Sequence, residues 1–145
     1  MGQQQLLLII LGVIIVGIAV AVGITMFQDN AVDQNRNMVI ADLQNLAAKA
    51  QQYYAKPTTL GGGGNTFTPA ASPLTADPAG LAVLAGTAFT DNANGKYSIT
   101  AVAAQSITLL GNGKTATSET KYPSYTLVVG PTVTTLTKNA DVATY

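Results

Sequence analysis

From Leu6 to Thr25 the chain carries no charged residue, and Thr25 alone offers a polar side chain. A helical segment of about 20 apolar residues matches the roughly 30 Å hydrocarbon core of a bilayer. A soluble domain has little use for such a segment, because no polar face interrupts it to meet water. A cleaved secretory signal normally has a basic leading region and an apolar stretch of only about 7–15 residues. Here the first Lys or Arg is Arg36 and the run is longer, although Ala19-Val20-Ala21 has the small-residue pattern of a cleavage site. The expectation is a membrane-length helix, introduced by Gln3, Gln4 and Gln5 and not by lysines.

Polar sequence begins with Gln28 and Asp29, directly after Phe27, yet no proline occurs before Pro57. Between Ala31 and Tyr54 the apolar positions Val32, Val39, Leu43, Leu46, Ala50 and Tyr53, seconded by Ile40, Ala47 and Tyr54, keep to one helical stripe. The plain reading of that stripe is packing on the chain's own globular domain. The two halves then form one helix from about Gln3 to Lys56, roughly 80 Å long at about 1.5 Å per residue. Gly12, Gly17 and Gly23 each cost it about 1 kcal/mol against Ala. Unpaired backbone groups in apolar surroundings cost more, on the order of several kcal/mol. A mostly continuous helix is therefore expected, with at most a short irregularity.

The helix stops at Pro57, and Gly61 to Gly64 read as a flexible stretch. Eighteen of the nineteen threonines lie beyond Pro57. The stretches "KYSITAV", "SITLL", "YTLVV" and "TVTTLT" are rich in β-branched and aromatic residues and predict short antiparallel strands. Asn112-Gly113 predicts a type I′ hairpin turn, and Asn92 to Gly95 another turn. A sheet this small needs a cover on one face, which the amphipathic stripe supplies. The predicted organisation is an apolar helix over 1–27, the amphipathic half of the same helix over 28–56, a Gly/Pro-rich loop over 57–80 and an antiparallel β domain over 81–145. The fold class is α+β.

Little here serves catalysis. The chain has no His and no Cys, which removes thiolate nucleophiles, disulfides and zinc clusters. Asp77, Asp91, Glu119 and Asp141 are scattered in turn-like sequence, with no general-base constellation around a Ser or Thr. The glycine runs do not make a phosphate loop. No Lys-Ser/Thr follows Gly64, and "GNGKT" at Gly111 to Thr115 has Thr108 where the first glycine belongs. Lys+Arg and Asp+Glu are 7 each, so no net field draws the chain to nucleic acid. Charged residues are 10% of the chain, against about 25% in an ordinary soluble protein. No enzyme activity, metal or cofactor is expected.

The apolar half-helix, the amphipathic half-helix and the following "AQQYYAKPTTLGGGGNTF" resemble type IV pilins and pseudopilins over residues 1–67. The C-terminal part is similar in type only. The resemblance implies a filament subunit, inserted in the cytoplasmic membrane as precursor and then carried in an extracellular filament on the cell surface. Its partners would be copies of itself and, before assembly, the inner membrane, together with a platform protein and an assembly ATPase. The implied filament-core residues are Leu6, Leu7, Leu8, Ile9, Ile10, Leu11, Val13, Ile14, Ile15, Val16, Ile18, Val20, Val22 and Ile24. Val39, Leu43, Leu46, Ala50 and Tyr53 would pack helix on sheet. The family usually has a Glu four residues after its processed N-terminus. Counted from Met1 that place holds Gln5, and counted from Gln3 it holds Leu7. Gln3, Gln4 and Gln5 are the expected replacement, as amides that bond between subunits. The alternative expectation is a non-polymerising, membrane-tethered minor pseudopilin of a secretion system.

Overall fold

A computed structural model describes residues 2–70, 74–117 and 119–144. Helix α1 (Gly2–Ala55) is unbroken through Gly12, Gly17 and Gly23. It is followed by a 3-10 turn at Thr58–Leu60, helix α2 (Pro78–Ala85) and a second 3-10 turn at Thr87–Phe89. Four strands complete the chain: β1 (Gly95–Ala103), β2 (Ser106–Gly113), β3 (Ser124–Val129) and β4 (Thr134–Lys138). They form one antiparallel sheet in the order β1-β2-β3-β4. The layout is α+β, a long helix packed against a four-stranded antiparallel sheet.

The stripe on α1 is the core. Val39, Leu43, Leu46, Ala50 and Tyr53 are all buried, together with Ile99, Ile107, Leu109, Leu127 and Val129 from the sheet. Asn35 lies beside Asn94 and Thr115 at one end of the sheet, and Tyr54 beside Gln105 at the other. Nineteen residues of helix cover about 28 Å, and nine residues of strand cover about 30 Å. The strands therefore run alongside the second half of α1 over their full length. α1 lies across β2 and β3, and α2 closes the β1 side. β4 extends past this cover, and all five of its residues are exposed.

Three details differ from the sequence expectations. Asn112-Gly113 is not a hairpin turn. Asn112 pairs with Lys96 on one side and Ser124 on the other, and neither residue has positive φ. The β1–β2 connection is Ala104-Gln105, since Ala103 pairs with Ser106. The glycines serve close approach. A Cβ at Gly113 would collide with Asn35 Oδ1, and one at Gly111 would press on Tyr97 and Leu43 at 3.0 and 3.2 Å. Second, α2 occupies a stretch divided in the sequence reading between loop and sheet at residue 80. Asp77 caps it, accepting from Gly80 N at 2.8 Å, Pro78 opens it, and Leu81 is fully buried. Third, the glycine run folds back over the end of α1. Gly63 N donates to Tyr53 O at 2.7 Å, Asn65 N to Tyr54 O at 2.8 Å and Gly64 N to Lys56 O at 2.9 Å. These bonds satisfy carbonyls that a helix end otherwise leaves to water. Gly61 and Gly64 take the left-handed conformation that the reversal needs.

Candidate functional site

α1 divides sharply in its surroundings. In its first half an 18-residue window, long and apolar enough to cross a membrane, has none of its residues buried. Leu6 to Leu11, Val13 to Val16, Ile18, Val20, Val22 and Ile24 are all exposed, on every side of the helix. Gln3, Gln4 and Gln5 form its first full turn and are exposed as well. Among the described residues, none buries them. Burying one large aliphatic side chain is favourable by about 1.5–3 kcal/mol, so fourteen of them represent on the order of 20 kcal/mol. That exceeds the 5–15 kcal/mol by which a whole domain is ordinarily stable. By length and composition the apolar half suits a membrane anchor or a signal segment.

The second half of α1 is locked to the sheet by a polar frame. Asp42 Oδ2 accepts from Tyr97 Oη at 2.8 Å, Asn92 Nδ2 at 2.9 Å and Asn94 Nδ2 at 3.0 Å. Partial burial pushes the Asp42 carboxyl upward, but the three hydrogen bonds outweigh it and hold the group below the ordinary carboxylate range. Burial and the Asp42 bond raise the Tyr97 phenol well above its usual value. Asn92 Oδ1 in turn accepts from Asn94 N and Gly95 N, both at 2.9 Å, which fixes the turn at the start of β1. Buried Asn35 donates to Asn94 O at 2.7 Å. Sequence reading places the Asn92–Gly95 turn but gives no sign of Asp42 as its partner.

Two charged clefts lie along this locked half. The lower one, about 450 Å³, is lined by Asp29, Val32, Asp33, Arg36, Thr117, Glu119 and Asp141. Arg36 lies 2.8 Å from Asp33 and 3.7 Å from Asp141, and Lys121 reaches Glu119 at 2.8 Å. Asp29 has no ion pair among the described residues. The upper cleft, about 310 Å³, is lined by Lys49, Gln52, Tyr53, Lys56, Gly61, Val83, Leu84 and Ala85. Lys49 sits 4.1 Å over the Phe89 ring, and Lys56 is exposed with no ion pair among the described residues.

The carboxylates weighed for catalysis each have a structural partner. Asp77 caps α2, Asp91 pairs with Lys114, Glu119 with Lys121, and Asp141 approaches Arg36. Among the described residues no three of His, Cys, Asp and Glu are grouped to hold a metal ion. No protein-family model, no curated protein and no solved structure matches this chain.

Proposed function

We propose that the chain is the repeating subunit of an extracellular, type IV pilus-like helical filament, assembled through its apolar N-terminal helix. Before assembly that helix lies in the cytoplasmic membrane, from which an assembly machinery of the family's kind draws the subunit. In the filament the apolar halves bundle along the axis and the sheet domains form the surface.

One observation carries the reading. A single unbroken helix is built into a domain core over its second half and is uncovered on every side over its first. A helix joined to its domain through a flexible linker would anchor equally well. A continuous helix fixes the apolar rod in direction relative to the domain, and a regular polymer needs that. The low charge content and the exposed, threonine-rich β4 are in keeping with a domain that packs against copies of itself.

The experiment is electron microscopy of material sheared from cells that produce the chain, with purified protein in parallel. The expected result is long thin fibres that contain it. If all of the chain stays in the membrane fraction and no fibre contains it, the non-polymerising, membrane-tethered pseudopilin takes the place of this reading.

A further inference from the structure

The two clefts are of opposite sign and lie on opposite sides of the molecule. In the lower cleft Asp29, Asp33, Glu119 and Asp141 face Arg36 and the nearby Lys121, which leaves two negative charges. The upper cleft holds Lys49 and Lys56 and no carboxylate, which leaves two positive charges. The sheet order puts β1 and β4 at opposite edges. The lower cleft uses Asp141, beyond β4, and the upper cleft uses α2, beside β1.

The helix itself gives the same answer independently. Asp33 and Lys49 are sixteen residues apart, about four and a half turns, so they lie on nearly opposite sides of α1 and roughly 24 Å apart along it. Asp29 and Lys56, twenty-seven residues apart, are separated by about seven and a half turns and roughly 40 Å.

We infer that the Lys49/Lys56 cleft of one copy receives the Asp29/Asp33 side of a second, parallel copy displaced along the helix direction by about 24–40 Å. The inference rests on the filament reading and adds the surface contact that sets the stagger. Complementary patches on opposite sides make a head-to-tail contact. Such a contact repeats without closing into a pair, so it yields a helical polymer. Its occupant is a second copy of this chain, because the two charges missing from each cleft are those offered by the other.

Asp29 and Lys56 are exposed and have no ion pair among the described residues, so exchanging their charges leaves the fold undisturbed. The experiment compares four full-length proteins: unmodified, Asp29→Lys, Lys56→Glu, and the double exchange. Circular dichroism checks that all four fold alike, and sedimentation gives the lowest concentration at which filaments persist. Each single reversal is expected to raise that concentration roughly fivefold, and the double exchange to bring it back to within about twofold. Single reversals without effect, or a double exchange that fails to restore assembly, overturn the contact. Microscopy of the unmodified protein reads the proposed function separately. Filaments formed equally well by all four proteins remove this contact and keep the filament. No filaments from the unmodified protein remove both.

Discussion

Tyr97 and Asp42, fifty-five positions apart in sequence, meet across a 2.8 Å hydrogen bond that ties the first strand to the long helix. Tyr97 is almost fully buried, and its hydroxyl donates to that carboxylate. Asp42→Ala removes the acceptor shared by the hydroxyl and both asparagine amides, and should lower stability by about 2–3 kcal/mol. Denaturant unfolding in detergent measures it. A loss no larger than that of an exposed position such as Ala48→Ser would show that the frame contributes nothing.

The same carboxylate fixes a pH dependence. Its folded-state pKa lies below the ordinary value of 3.8. The contribution is thus fully present above that value and is lost as pH falls through the lower, folded one. Asp42→Asn should flatten the acid limb of a stability–pH profile below about pH 4. An unchanged limb in that variant would assign acid sensitivity to other carboxylates.

The two halves of α1 should respond differently to truncation. Leu46 is fully buried and Ile14 is exposed. Leu46→Ala should cost roughly 2–5 kcal/mol of domain stability. Ile14→Ala should leave domain unfolding unchanged and lower filament yield. Equal unfolding losses in both variants would contradict the division of the helix into two environments.

Gly12, Gly17 and Gly23 have open space where a Cβ would stand. Replacing Gly17 by Ala should raise helical stability by about 1 kcal/mol in the dispersed chain. No described residue of the same chain comes within 4 Å of the added methyl group. Normal filament yield from Gly17→Ala would mean that no neighbouring helix approaches closely there.

Gln5→Leu, alone and with Gln4→Leu, tests the amides at the tip. Membrane insertion should persist, because leucine suits a bilayer better than glutamine, and assembly should fail. Filaments of normal yield and unchanged symmetry would reduce the three glutamines to an interfacial fringe.

The sequence made the long helix legible because both of its patterns are extreme: one half has no polar face, and the other keeps Val39 to Tyr53 on one stripe. Strands β1 to β4 were visible in their β-branched content. Asn112-Gly113 misled because the dipeptide fits two needs equally well, positive φ in a turn and the absence of a side chain beneath a helix. Only the position of Asn35 decides between them. Helix α2 carried legible signals in Asp77, Pro78 and Gly86, which the surrounding Gly/Pro-rich sequence masked. Asp42 was unreadable as a partner of Tyr97, since nothing local marks a contact that spans the chain. The opposed clefts were hidden for the same reason: Asp141 and Glu119 join Asp29 only through the fold.

The parallel course of α1 and the strands has a mechanical consequence. Asn35, Asp42, Gln51 and Tyr54 attach the helix to the sheet region at points spread along its length, and the reversed glycine run holds its far end. Tension applied along the helix from the apolar end therefore reaches the sheet as a sliding load directed along the strands. Ladder bonds perpendicular to that direction share the load and must rupture together, whereas a pull across the strands would open them one at a time.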